Sequence, residues 1–132
     1  MSTPILNNAQ VRDFTFEAVR TLRPALAKKM TRVSENFYNH LEYRLRIRIH
    51  ADVQALARSD LKTLRTDGAE SRDPALPWLI NQSQMHQFAI AAMQGTDLTQ
   101  VAGSYAHSCD TYLRSLINAR ISSMPSVGKT IQ

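Results

Sequence analysis

Hydrophobic residues along this 132-residue chain recur mostly at spacings of three and four. That spacing places them on one face of an α-helix. Pro24 interrupts the first such segment, residues 8–22, and itself suits the opening of a short helix over residues 24–30. The apolar face of the first segment is formed by Val11, Phe14, Ala18 and Leu22. Glycine is rare, so the chain as a whole is predicted to be all-α.

The stretch YRLRIRIH, residues 43–50, alternates apolar and basic side chains, a pattern that an exposed β-strand would also give. Its flanks have helical spacing and no turn residues, so we favour a single long helix from about Ser34 to Arg58 over the strand. Ser34 is a suitable N-cap. Arg48 and Asp52, four residues apart, are expected to pair on this helix. Its apolar face is predicted to comprise Phe37, Tyr38, Leu41, Leu45, Ile49, Val53 and Leu56.

The second half of the chain predicts two more helices. Residues 59–77 are polar and contain three helix-breaking residues, so they indicate a loop. A helix is predicted over residues 77–93, Gly95 is its stop signal, and a last helix follows over residues 97–121. The spacing of the last helix predicts a helix–helix seam, either within the chain or between two copies, formed by Ala102, Tyr105, Cys109, Tyr112, Leu116 and Ala119.

These elements predict a domain organisation in four parts. Residues 1–67 would form a basic helical unit, residues 68–76 a linker, residues 77–121 a C-terminal helical hairpin, and residues 122–132 a flexible tail. No internal repeat stands out along the chain.

The basic residues are concentrated in the first half of the chain. Residues 1–66 carry 12 Lys and Arg against 6 Asp and Glu, a net charge of +6, whereas residues 67–132 carry 4 against 5, a net charge of −1. The first half therefore favours an anionic partner, either nucleic acid or a membrane surface. No apolar run is long enough to predict a membrane span, and the N-terminus does not resemble a secretory signal. A single cysteine, Cys109, excludes an internal disulfide and is typical of a cytoplasmic protein.

Motifs for catalysis or metal binding are not found in the sequence. It contains no H-E-x-x-H, C-x-x-C, G-x-S-x-G or nucleotide-binding fingerprint. The GKT at residues 128–130 lacks the glycine-rich loop of a phosphate-binding motif. His107 and Cys109 are two residues apart, which points them in different directions on a helix. We therefore predict a non-enzyme with no catalytic residues, no metal site and no cofactor.

Two short motifs at the ends of the long predicted helix resemble those of archaeal and bacterial histones. Arg-Val-Ser at residues 32–34 precedes this helix, and Lys-Thr-Leu at residues 62–64, followed by Asp67, comes after it. The resemblance to the histone fold covers about residues 24–67. The chain departs from the family's pattern before Lys62, where Asp60 and Leu61 replace the usual glycine and arginine.

The resemblance implies a histone-like dimer with central helices that cross antiparallel. It implies binding of double-stranded DNA through phosphates, with little sequence preference, in the cytoplasm and associated with the nucleoid. By position, the expected DNA contacts, with the lysines and the arginine that add charge beside them, are Lys28, Lys29, Arg32, Ser34, Lys62, Thr63 and Arg65. The expected oligomer interface, which includes the C-terminal seam, comprises Leu41, Leu45, Ile49, Tyr105, Tyr112 and Leu116.

A different class of function is also compatible with the sequence. In this alternative the chain is a helical interaction or assembly protein that oligomerises through its C-terminal helices, and its basic half binds a protein. An RNA-binding helical bundle is intermediate between the two hypotheses.

Overall fold

A computed structural model describes residues 4–66, 73, 75–126 and 128–132 of the chain. Its helices are α1 (Asn8–Leu22), α2 (Pro24–Ala27), α3 (Glu35–Ala57), α4 (Gln82–Ala92) and α5 (Tyr105–Ser122). Its strands, of two residues each, are β1 (Arg32–Val33), β2 (Thr63–Leu64), β3 (Gln100–Val101) and β4 (Thr130–Ile131). The prediction of a predominantly helical chain is confirmed. Asp67 and the rest of the linker up to residue 72 lie outside the described residues.

Helix α3 follows the sequence pattern closely. The Ser34 hydroxyl accepts a hydrogen bond from the Phe37 amide at 3.1 Å and thereby caps the first turn. The YRLRIRIH stretch lies within the helix, so the alternative of a strand is wrong. The Arg48 Nε and Asp52 Oδ2 atoms are 3.8 Å apart, which confirms the expected pair. The predicted apolar face is also confirmed, because its fully buried members are Phe37, Leu41, Leu45, Ile49 and Val53.

The two later helices are shorter than predicted at their N-terminal ends. Helix α4 begins at Gln82, since the backbone just before it pairs with the segment before α1. Helix α5 begins at Tyr105 rather than at residue 97, since Gln100 and Val101 form β3 and pair with β2. In both places a hydrogen bond to a distant part of the chain replaces the first helical turns.

The chain contains a repeat that its sequence did not reveal to us. We name residues 5–66 the first unit and residues 79–132 the second unit. Each unit has the order helix, strand, long helix, strand, and the first unit has the short helix α2 in addition, between α1 and β1. The final strand of the second unit, β4, occupies the region expected to be a flexible tail, and its Ile131 is fully buried. The structure corrects that expectation, because the tail completes the second unit.

The strands pair in parallel between the two units, in the same way at two places. Strand β1 pairs with β4 and strand β2 pairs with β3. The Lys129 carbonyl accepts hydrogen bonds from the Thr31 and Arg32 amides at 2.8 and 3.2 Å. The Lys62 carbonyl accepts them from the Thr99 and Gln100 amides at the same two distances. The two units are therefore related by an approximate two-fold axis.

The segments that precede α1 and α4 pair across this axis. Leu6 and Ile80 form an isolated antiparallel bridge. The Asn7 amide donates to the Leu79 carbonyl at 2.9 Å, and the Asn81 amide donates to the Ile5 carbonyl at 2.7 Å. These reciprocal bonds join the two segments that lead into α1 and α4.

A buried carboxylate fixes each of these segments. Asp110, on α5, accepts hydrogen bonds from the Leu79 amide at 2.8 Å and from the Arg114 Nε at 2.9 Å. The guanidinium carbon of Arg114 lies 4.8 Å from the centre of the Phe14 ring, on the other unit. This cation–π contact links the two units through the same arginine that neutralises Asp110.

The first unit repeats this arrangement with different residues. Glu42, on α3, accepts a hydrogen bond from the Ile5 amide and pairs with Arg46 at 3.5 Å. The guanidinium carbon of Arg46 lies 4.7 Å from the centre of the Phe88 ring in the second unit. The correspondence of these side-chain contacts extends the approximate symmetry from the backbone to the packing.

The hydrophobic core lies between the two units. Helix α1 packs on α5, α4 packs on α3, and α3 packs on α5. Helices α3 and α5 cross antiparallel, since Phe37 near the start of α3 lies under Arg120 near the end of α5, while Asp52 near the end of α3 binds Tyr105 at the start of α5. The expected C-terminal hairpin is thus replaced by packing of α4 and α5 mainly against the first unit.

This packing corrects the predicted oligomer interface. Leu41, Leu45, Ile49 and Tyr105 are fully buried inside a single chain. The second unit covers the face of α3 that we expected a second copy to cover. Tyr112 and Leu116 are half-buried on α5, where the Arg48 guanidinium carbon lies 4.5 Å from the centre of the Tyr112 ring. None of the four fully buried side chains is available to a second molecule.

Candidate nucleic-acid interface

Three of the predicted DNA contacts, Lys28, Lys29 and Arg32, lie close together at one end of α3. We name residues 31–33 together with residues 129–131 the first loop pair; it is held by the β1–β4 pairing. A depression of about 540 Å³ lies at this end of the molecule. Its lining residues are Lys28, Lys29, Thr31, Arg32, Gly128 and Lys129. The side chains of all four cations are exposed, so this end presents a concentrated positive charge to solvent.

The remaining predicted contacts lie at the opposite end of α3. We name residues 62–64 together with residues 99–101 the second loop pair, which is held by the β2–β3 pairing. Lys62 and Arg65 are exposed here, and Thr63 is half-buried in the strand. The structure therefore separates the predicted contacts into two groups, one beside each end of the long helix.

The two loop pairs carry different charges although their backbones are alike. Gln100 in the second loop pair occupies the position that Arg32 occupies in the first, as their equivalent hydrogen bonds to Lys62 and Lys129 show. Asp97, an exposed acid, precedes the second loop pair in the chain, whereas Lys28 and Lys29 precede the first. The first loop pair is consequently the more strongly basic of the two.

Ser34 is the N-cap that the sequence predicted, whereas Lys129 lies at the site although the sequence analysis did not select it. The Ser34 hydroxyl accepts a hydrogen bond from the Phe37 amide, so its oxygen already serves as the cap of α3. Lys129, in the GKT that we discounted, lies in the first loop pair beside Arg32. The signal for it was present in the sequence, because Lys129-Thr130-Ile131 matches Lys62-Thr63-Leu64 in order and chemistry.

Two of the three arginines in the YRLRIRIH stretch, residues 43–50, make cation–π contacts with aromatic side chains. Arg46 stacks on Phe88 and Arg48 on Tyr112. Arg44 is exposed on the middle of α3. The two stacked arginines thus join the first unit to the second.

Two buried titratable groups, Cys109 and Tyr105, have pKa values raised above their ordinary ranges. Burial raises the pKa of the Cys109 thiol to about 12, and the nearby carboxylate of Asp52 contributes to this increase. Burial likewise raises the pKa of Tyr105, whose hydroxyl donates a hydrogen bond to Asp52 Oδ2 at 2.8 Å. A thiol with so high a pKa carries little thiolate at neutral pH, so Cys109 acts as a packing residue.

Two further observations bear on the kind of ligand that the chain can take. Among the residues that the structure describes, no three His, Cys, Asp or Glu side chains are grouped to hold a metal ion. Within the same residues, no helix combines the length and apolar character needed to cross a bilayer.

Comparison of the chain with protein-family models, with curated proteins and with solved structures finds no match. The functional interpretation therefore depends on the geometry and the charge of the loop pairs.

Proposed function

We propose that this chain is a histone-like, non-enzymatic protein that binds duplex DNA through its phosphates with little sequence preference. In this proposal one chain supplies both halves of the pair that two histone chains would supply, and the protein works in the cytoplasm in association with the nucleoid. The observation that carries the proposal is the presence of exposed cations at two paired loops, one at each end of α3.

The arrangement of the two units supports the histone-like part of the proposal. The resemblance led us to expect long helices that cross antiparallel and loops that pair between the halves. Helices α3 and α5 cross in this sense, and each loop pair joins one strand from each unit. A difference from the expected pattern is that the described residues between β2 and α4 contain no helix that would serve as the third helix of a histone.

The length of α3 supports binding to a single duplex. Its 23 residues make a helix about 35 Å long. One turn of B-DNA rises about 34 Å, so two sites this far apart can contact phosphates one helical turn apart on the same side of a duplex. Lys and Arg side chains with exposed backbone amides bind phosphates without reading bases.

The direct test is a titration of random-sequence duplex DNA with the full chain at several salt concentrations, followed by fluorescence anisotropy. Affinity should fall steeply as salt rises, because binding to phosphates releases counterions. Arg32→Glu with Lys129→Glu should weaken binding to every sequence alike. The plot of log affinity against log salt should also become less steep. The magnitude of its negative slope should decrease by about 0.9 for each phosphate that the protein no longer neutralises.

Arg44→Glu is the matched control for this experiment. It makes the same change of charge as Arg32→Glu alone or Lys62→Glu alone, at an exposed position in the middle of α3, away from both loop pairs. It should reduce affinity much less than either Arg32→Glu or Lys62→Glu. Absence of DNA binding at low salt would overturn the proposal, and equal effects of all three variants would overturn the assignment of the site. Tighter binding of RNA than of DNA would redirect the proposal to the RNA-binding alternative.

The alternative function, an assembly protein that oligomerises through its C-terminal helices, has less support. The side chains of α5 that it requires pack against α1 and α3 of the same chain. The same titration separates the two functions, because an assembly protein without nucleic-acid affinity would leave the anisotropy of the duplex unchanged.

A further inference from the structure

The depression at the first loop pair is lined mainly by cations. Its volume is about 540 Å³, within the range of ordinary ligand pockets, which is roughly 300–1,000 Å³. Four of the described residues that line it are basic and none is acidic; the lining comprises Lys28, Lys29, Thr31, Arg32, Gly128 and Lys129. A concave site with this lining favours an anionic ligand over an apolar one.

The four cations are not paired with acids of the protein. All four side chains are exposed, and none takes part in an ion pair with any residue that the structure describes. The nearest acid along the chain is Glu35, which lies on the first turn of α3 and does not line the depression. Like charges held this close repel one another, so an anion that binds between them interacts favourably with all four.

The backbone of this site is fixed and leaves open space for a ligand. The Lys129 carbonyl accepts hydrogen bonds from the Thr31 and Arg32 amides, which joins the two units at this point. Gly128 has a φ of 87°, in the left-handed region that favours glycine. A Cβ atom added to Gly128 would meet no atom within 4 Å, so the space beside this glycine is open.

The second loop pair has a similar backbone and much less positive charge. The equivalent hydrogen bonds align Gln100 with Arg32, and therefore Asp97 with Lys29, three positions earlier. Residues 28–33 and 129–132 contain four cations and no acid, a net charge of +4. The equivalent residues, 96–101 and 62–65, contain two cations and one acid, a net charge of +1. The chain thus offers an internal control for any ligand that needs the four cations together.

A chain of linked phosphates suits the first loop pair. The guanidinium of Arg32 can donate two parallel hydrogen bonds to phosphate oxygens, and each lysine adds a compact positive charge. The phosphates of a duplex lie on a convex surface, so they reach mainly the tips of these side chains. A phosphate chain is thin and flexible, carries several charges in a short length, and can enter the depression.

We propose that the first loop pair also binds free linked phosphates, either an inorganic polyphosphate or the triphosphate of a nucleotide, and that these compete with duplex DNA for the site. Arg32 and Lys129 come from different units, so the site exists only when the units are paired. The second loop pair binds such ligands far more weakly. The competition rests on the proposed function, whereas the binding of linked phosphates does not.

Calorimetric titration of the full chain with inorganic triphosphate tests the site directly. The chain should bind one triphosphate, with an affinity that decreases as salt rises. Sulfate at the same ionic strength should bind much more weakly, because a single small anion cannot reach all four cations. Absence of saturable triphosphate binding at low salt, or an equal affinity for sulfate, would overturn the proposal.

Variants that copy residues from the second loop pair into the first locate the site. Lys29→Asp with Arg32→Gln should weaken triphosphate binding by about tenfold or more, because charged hydrogen bonds are lost. Lys62→Asp with Arg65→Gln makes the same change of charge at the other end of α3 and should leave the affinity within about twofold, since screening is strong over that distance. Equal losses in the two double variants would refute the assignment to the first loop pair.

The reverse exchange should create a second site. Asp97→Lys with Gln100→Arg gives the second loop pair the residues of the first. The stoichiometry should rise from one triphosphate per chain to two, and an unchanged titration would contradict the role given to these two positions. The substituted residues of all three double variants are exposed, and circular dichroism verifies that each variant folds.

Two sources of linked phosphates are separated by comparing adenosine triphosphate with long inorganic polyphosphate. Tighter binding of the polyphosphate identifies the inorganic chain as the ligand, and tighter binding of the nucleotide identifies the nucleotide. Either result supports the proposal, and failure of both to bind would overturn it.

Displacement of a fluorescent duplex tests the competition. Triphosphate should release the duplex from the unaltered chain more effectively than sulfate at the same ionic strength, and triphosphate binding without release would refute the competition. The two proposals fail separately. A chain that binds duplex but not triphosphate would overturn only the phosphate site, and a chain that binds triphosphate but not duplex would overturn only the proposed function.

Discussion

At the scale of single residues, the buried side chain of Tyr105 is paired across the two units. The hydroxyl of Tyr105 donates to the Asp52 carboxylate, and Asp52 also pairs with Arg48 on its own helix. The equivalent position to Asp52 on α5 is Arg120, which lies over the Phe37 ring. One end of the helix crossing is therefore joined by a hydrogen bond and the other by a cation–π contact.

The hydrogen bond of Tyr105 should be measurable in the stability of the protein. Tyr105→Phe removes a bond to a charged acceptor and should lower the free energy of unfolding by about 1.5 kcal/mol, measured by urea denaturation at neutral pH. Tyr112→Phe is the matched control, since among the described residues no hydrogen bond is found for its hydroxyl. An equal decrease in both variants would show that the bond to Asp52 contributes nothing specific.

The pKa of Tyr105 also predicts how this difference changes with pH. Burial, Cys109 and Asp52 hold that pKa above the ordinary value of 10. Below pH 10 the phenol is neutral in both states. As pH rises above 10, the unfolded chain loses the proton while the folded chain keeps it, so the folded state loses stability. The difference in the free energy of unfolding between the unaltered chain and Tyr105→Phe should therefore become smaller above pH 10.

At the scale of elements, local patterns predicted that the long helices exist, but not how the strands pair. The cap at Ser34 and the absence of glycine and proline suffice to place α3 within one residue at each end. The start of α5 could not be predicted in the same way. Residues 99–101 pair with Lys62 and Leu64, far away in the chain, and no window of local sequence contains that pairing.

The repeat of the first unit in the second could not be recognised from the sequence for a related reason. Several equivalent positions of the long helices share chemical character rather than identity, as Glu42 and Asp110 do, and as Leu41 and Cys109 do. For the candidate site, the sequence identified basic residues at both ends of α3. The match of Lys129-Thr130-Ile131 to Lys62-Thr63-Leu64 was overlooked, because it becomes meaningful only once the repeat is known.

Strand β4 provides an element-scale prediction. Ile131 is fully buried, and its carbonyl accepts a hydrogen bond from the Ser34 amide at 2.8 Å. Ile131→Val should lower the free energy of unfolding by about 1 kcal/mol and Ile131→Ala by about 2–4 kcal/mol, because buried methyl groups are removed and a cavity remains. Gln132→Ala, at the exposed neighbour, should have little effect on thermal or urea unfolding. A flexible tail would leave all three variants as stable as the unaltered chain.

At the scale of the whole molecule, the two units share one hydrophobic core. Each first helix packs on the long helix of the other unit, and each loop pair takes one strand from each unit. An isolated unit would leave its long helix without the surface that buries it, and its strand edges without partners. Residues 67–77 thus separate the two units along the sequence, but the two units contribute to a single hydrophobic core.

The two units, once separated, should fold only together. Residues 1–66 and residues 73–132, prepared as two peptides, should each lack cooperative thermal unfolding, because Leu45 and Leu113 are buried only when both units are present. An equimolar mixture should regain the helical circular dichroism of the intact chain and a single unfolding transition that depends on concentration. Only the mixture should bind duplex DNA with the full salt dependence, since each loop pair needs both peptides. Cooperative folding of residues 1–66 alone would contradict this expectation and would mean that the basic unit is a domain in its own right.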